Sequence, residues 1–198
     1  MRFFISILSL FIISCNGNSN YTSLSDEEVD IEFQLRSINP NDDEIEYWEV
    51  NYIMLFEPET IHFTGNEDLK SSLENKEFVN GFFQQCHPLH CTYNIVYYKN
   101  GEWNSISSEQ DLKKFIGEID NEFEAFLIAR INEFYIDFSD SEGNGFYKSG
   151  ENYFLKVMKY ESCPVSKESF LLEITEDGEI KSQKSLGYYY KSKDCIIS

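Results

Sequence analysis

Between residues 29 and 36 the segment VDIEFQLR sets Val29, Ile31, Phe33 and Leu35 against Asp30, Glu32, Gln34 and Arg36, the period-2 alternation of a half-buried strand. A turn cluster, NPNDD at 39–43, separates it from EIEYWEVNYIMLF, whose aromatic and β-branched content predicts a second strand. Residues 66–83 open on Asn66 as a cap and place Leu69, Leu73 and Phe82 at roughly helical spacing, which predicts one helix or two short ones. TYNIVYYKNGEWNSI then reads as two strands around Asn100-Gly101, a two-residue hairpin signal.

Two helices follow. In SSEQDLKKFIGEI, Ser107 stands three residues before Gln110 as a capping box, and Leu112, Phe115, Ile116 and Ile119 share one face. In DNEFEAFLIARINEF, Asn121 caps with Glu124, and Phe123, Phe126, Leu127, Ile131 and Phe134 form the apolar stripe. The last third, NYFLKVMKY, SFLLEIT and, beyond a turn at Asp177-Gly178, EIKSQKSLGYYY, reads as strands. The pattern predicts an α+β fold, mostly antiparallel, with helices packed on one face. Residues 28–198 read as a single globular domain, with two small subdomains dividing near residue 107 as the alternative.

The chain begins MRFFISILSLFIISC, with Arg2, an apolar run from Phe3 to Ile13, and then Ser14 and Cys15. A spanning helix needs ~20 apolar residues, so this run is a secretory signal and not a membrane span. Ile12-Ile13-Ser14-Cys15 resembles the lipobox of bacterial lipoproteins. That resemblance implies a signal peptide over 1–14, lipidation of Cys15, a flexible tether over 15–27, and a protein of the bacterial cell envelope held to a membrane by its N-terminal lipid. An ordinary signal peptide cut nearby is the alternative. The stretch DLKKFIGEIDNEFEAFLIARINEFYID, with the cysteine-bearing strands after it, resembles bacterial envelope proteins of unassigned function, a likeness that supplies no activity.

Charge narrows the partners. With 35 acidic against 16 basic residues and a net charge of −19, the chain lacks the basic footprint that nucleic acid requires. The same charge disfavours lying flat on anionic lipid and suits a protein partner, a basic one in particular. Aromatics at 16% supply apolar material for a packed core, so acidity here does not signal disorder.

Export changes how the cysteines read. In an oxidising compartment Cys86, Cys91, Cys163 and Cys195 predict disulfides. The segment CHPLHC offers a zinc or copper reading through His87 and His90, yet four ligands in six consecutive residues cannot easily surround one ion. A turn at His87-Pro88-Leu89-His90 brings Cys86 and Cys91 together, which favours a Cys86–Cys91 staple and leaves Cys163–Cys195 as the second pair, among three connectivities. The segment DSEGNGFYKSGE resembles the calcium loop of EF-hands, with Asp140, Glu142, Asn144, the Phe146 carbonyl and Glu151 at ligand positions. Lys148 at the ninth position, the length of Glu142 and the strand that follows favour a plain polar connection.

In GYYY, alternation places Tyr188 and Tyr190 on one face, a candidate binding surface, and Tyr189 on the other. Only three histidines occur, and no nucleophile elbow, zincin helix, phosphate loop or dinucleotide fingerprint is present. These features predict a non-enzymatic, lipid-anchored envelope protein that binds another macromolecule through an acidic, aromatic-containing surface, with no cofactor. Two alternatives stand beside it: a metal-binding lipoprotein (calcium, or zinc or copper), and a hydrolase acting through paired carboxylates.

Overall fold

The structure is a computed structural model that describes residues 21–73, 80–86 and 89–196. The aromatic run expected to be a strand forms β1 (Ile45–Met54) at the centre of an antiparallel sheet, paired on one side with β2 (Glu57–Gly65). On its other side runs β4 (Cys91–Lys99), whose far edge takes β3 (Phe82–Gln85) and β5 (Glu102–Ile106) end to end. Asn100 and Gly101, at φ +54° and +82°, close the β4–β5 hairpin, as their side-chain types predict. Alternation along β1 sends Trp48 and Val50 into the apolar core. Its other face carries a buried polar chain, in which Tyr47 donates to Glu49 at 2.6 Å and Asn51 to Glu49 at 3.1 Å. Lys70, from a short 3-10 helix at Glu67–Leu73, neutralises Glu49 at 3.1 Å.

The second sheet is an antiparallel meander of β6 (Gly145–Ser149), β7 (Asn152–Ser162), β8 (Val165–Ile174) and β9 (Ile180–Lys191). Tyr153, Leu155 and Val157 of β7 face the core, which leaves Met158 and Tyr160 on the opposite face. In sequence the two sheets are separated by α2 (Glu109–Ile116) and α3 (Glu122–Ile131). Every residue of α3 from Glu124 to Ala129 is buried. A helix covered all round must have neighbours on several sides. Phe126 meets Phe146 of β6 at 6.3 Å, and Arg130 lies over Phe83 of β3 at 4.9 Å. One continuous core therefore joins the helices and both sheets.

Asn121 caps α3 as expected, accepting from the Glu124 backbone N–H at 3.0 Å. The Glu124 carboxylate, fully buried, accepts in turn from the backbone N–H groups of Asn39 at 2.8 Å and Asp120 at 2.9 Å. It thereby ties the chain before β1 to the start of α3. Burial drives its pKa up to about 7 despite these bonds.

Four local expectations are corrected. Residues 29–36 do not form a strand: Asp30 caps a short helix, α1 (Ile31–Arg36), and Glu32 pairs with Arg36 at 3.0 Å one turn on. In so short a run, one buried Leu35 with a half-buried Ile31 four residues before it satisfies a helix as well as a strand. Of residues 66–83, expected as one helix or two short ones, 74–79 lie outside the described residues; the described part forms a 3-10 helix at Glu67–Leu73, and Phe82 and Phe83 begin β3 where helix was expected. The cap of α2 is Ser108 with Asp111, where Ser107 with Gln110 was expected. Within the tether expected over 15–27, the described part is attached to the fold. Thr22 pairs with Phe146 through two backbone bonds of 2.8 Å, and Leu24 is buried, its backbone gripped in both directions by the Asn144 amide. The expected signal peptide and Cys15 lie outside the described residues.

A candidate binding cleft on the second sheet

Beyond α3 the chain turns at Glu133, buries Phe134 against Phe170 at 5.3 Å, and lays Tyr135 along Met158 of β7 through two backbone bonds of 2.8 Å. Asp137 follows, 1% exposed, at the floor of a cleft. One of its carboxylate oxygens accepts from Lys167 at 2.6 Å and Tyr189 at 2.8 Å. The other accepts from the Ser139 hydroxyl at 2.6 Å and the Ser139 backbone N–H at 3.0 Å. Burial alone would raise this carboxyl, but the four donors outweigh it and hold the pKa at about 2. Burial, and then the Asp137 charge, push the Tyr189 phenol far above its ordinary value. Neither group is set to exchange a proton near neutrality.

Gly143 fits this network by having no side chain. A Cβ there would stand 2.8 Å from both the Asp137 Cβ and the Tyr189 hydroxyl. The loop 137–143 is thereby pressed onto β7 and β9, fixed further by the Asp137 N–H on the Gly143 carbonyl at 2.9 Å and by the Ser169 hydroxyl on the Glu142 carbonyl.

Above this polar floor the walls are apolar. Phe138, Tyr160, Tyr190 and Ile196 are 74%, 37%, 49% and 60% exposed and, with Ile136 and Met158, line a cleft of about 690 Å³. Ile196 is held by its N–H on the Ser162 carbonyl at 2.8 Å, beside the Cys163–Cys195 disulfide. That staple, with Cα atoms 4.2 Å apart, joins the end of β9 to the β7–β8 turn. The second disulfide thus builds one wall of the cleft.

The residues singled out in the sequence fall in several places. Cys86 and Cys91 are paired, as are Cys163 and Cys195. His90 faces Gln84 at 3.3 Å and stacks on Phe56, while His87 lies outside the described residues. Tyr188 and Tyr190 are both exposed, but their expected sharing of one face is corrected: β9 bulges between the residues opposite Lys167 and Glu168, so Tyr189 and Tyr190 both line the cleft with Lys167 while Tyr188, opposite Glu168, faces away. Of the calcium-loop residues, Asp140 caps the 3-10 turn by accepting from the Glu142 N–H at 2.9 Å, and Glu142 pairs with Lys156 at 3.4 Å. Asn144 is engaged with Leu24, the Phe146 carbonyl accepts from Thr22, and Glu151 sits in the exposed β6–β7 turn. Among the described residues no group of three or more His, Cys, Asp or Glu side chains is placed to hold a metal ion.

Asp137, Lys167, Phe138 and Tyr160 were not singled out by sequence reasoning. The triple tyrosine, Asp140 and the Cys163–Cys195 pair were the signals near them. Compared with protein-family models, with curated proteins and with solved structures, the chain matches none.

Proposed function

We propose that the protein is a non-enzymatic binding protein of the bacterial cell envelope, exported and held to a membrane by lipid on Cys15, which captures an apolar group of a macromolecular partner in the cleft beside Asp137. The observation that carries this reading is the contrast between floor and walls. The ionic floor is saturated, with each Asp137 oxygen already engaged, so it has rigidity to offer and no proton or nucleophile. The walls hold exposed Phe138, Tyr190 and Ile196, a concave apolar surface of the kind that marks recognition sites. The segment 1–15 and the two disulfides suit an oxidising compartment. We also infer the α+β class, with α2 and α3 on the core side of the second sheet.

The test uses the full chain as bait in envelope extract at low and high salt, beside Phe138→Asp and Tyr190→Ser variants. A specific partner retained by the unmodified protein and lost from Phe138→Asp is expected. Retention undiminished in that variant, or no partner at either salt, would overturn the reading.

A further inference from the structure

Ile136, Met158 and Tyr160 wall a second cavity, of about 330 Å³, on the α3 side of the chain. Its notable member is Arg130. In a chain with 35 acidic residues, the half-buried Lys99, Lys113, Lys156 and Lys167 each have a carboxylate at 2.5–3.4 Å, and only half-buried Lys159, over Phe134 and Phe170, shares with Arg130 the lack of one among the described residues. Arg130 is also half-buried, and its guanidinium has no hydrogen bond or ion pair to any described residue. Instead the rings of Phe83 and Tyr135 lie 4.9 and 5.8 Å from its guanidinium carbon. Ring faces offset part of a cation's desolvation but accept none of the five in-plane N–H donors. Burial accordingly lowers its pKa. Charges taken out of water are ordinarily paired.

The other walls say what would complete it. Val29, Phe126 and Phe134 join Ile136 and Met158 as apolar surface. Gln34, 2% exposed, spends its amide nitrogen on the carbonyls of Glu28 and Val29, both at 3.2 Å. Its side-chain oxygen has no partner among the described residues and is the one neutral acceptor that this side chain offers the cavity. A guanidinium fork matches a carboxylate bidentately.

We propose that this cavity binds a carboxylate with an apolar body, the Arg130 guanidinium holding the anion, the aliphatic and aromatic walls the body, and the Gln34 oxygen an N–H where the ligand has one. The site adjoins the cleft beside Asp137 and shares Ile136, Met158 and Tyr160 with it, but its anchor, Arg130, lies outside that cleft, so it does not depend on the reading of the cleft. Its chemistry is met by a free aromatic or aliphatic acid and by the C-terminus of a peptide.

Calorimetry on the full chain with 3-phenylpropionate, N-acetylphenylalanine and the primary amide of each tests it. Both acids are expected to bind, and each amide at least about tenfold more weakly. Tighter binding of the N-acetyl amino acid points to a peptide end as the source, the reverse order to a free acid, and either supports the site. Equal affinity for acid and amide, or no binding of either acid up to about 10 mM, would overturn it. Arg130→Met is expected to abolish the preference for acid and, because no ion pair is lost, to leave Tm unchanged or higher. A preference that survives in this variant would also overturn the proposal. Arg130→Lys keeps the charge without the fork and is expected to weaken the preference; the acid-to-amide ratio of the unmodified protein needs no variant. Phe138→Ser should leave that ratio untouched, so failure here and failure of the cleft reading are distinguishable.

Discussion

Lys167 and Asp137 stand 30 positions apart in the chain and their charged groups 2.6 Å apart in the fold. The Asp137 carboxyl ionises at about 2 in the folded protein against an ordinary 3.8. The folded state therefore holds fewer protons between these values, and the stabilisation, fully present above the ordinary value, disappears as pH falls through about 2. Asp137→Ala is expected to lower the unfolding free energy at pH 7 by about 2 kcal/mol and to make little difference near pH 2. Urea titrations at the two pH values measure it.

Glu124 works in the opposite sense. Its pKa of about 7 in the fold, against an ordinary 4.5, means that the folded state keeps a proton which the unfolded chain has released. Stability is expected to fall between these values as pH rises, by about 3 kcal/mol in all. Glu124→Gln, which keeps an acceptor for one of the two backbone donors, should flatten this dependence. Urea midpoints followed from pH 4.5 to pH 8 give the comparison.

The two disulfides close segments of very different length, with separations of 5 and 32 residues. Chain-entropy reasoning gives about 2 kcal/mol for the short loop and about 4 kcal/mol for the long one. Replacing Cys163 and Cys195 with Ser is therefore expected to destabilise about twice as much as replacing Cys86 and Cys91. It should also release Ile196 from the cleft wall, which hydrogen exchange at residues 192–196 would report.

At the tip of the β1–β2 hairpin, Leu55 and Phe56 take φ +52° and +71°, the left-handed conformation that asparagine and glycine adopt at least cost. Both are solvent-exposed, at 54% and 62%. Leu55→Asn, which keeps the Phe56 ring on His90, is expected to stabilise the protein by about 1 kcal/mol, read from a rise in Tm.

What was legible in the sequence was local. Asn100-Gly101 and Asn121 announce a turn and a cap because the relevant bond lies within a few residues. The Cys86–Cys91 staple is legible because the two cysteines stand only five positions apart. VDIEFQLR misleads because eight residues cannot separate a period of 2 from one of 3.6 when Asp30 is free to cap. The cleft was hidden, since Asp137 meets Lys167 and Tyr189 only after 30 and 52 intervening steps of chain have been folded back. Arg130 was harder still. Nothing in the order of letters reveals that its guanidinium pairs with no carboxylate among the described residues.

The grip of Asn144 on Leu24 has a mechanical meaning. The N-terminal segment enters the fold at the rim of the second sheet, beside β6, through Thr22 and Leu24. A pull along that segment is therefore borne first by the backbone pair of Thr22 with Phe146, by the bonds of Ser23 and Leu24 to Asn144, and by the seat of Leu24 in the core, at the edge of the sheet and not along its length.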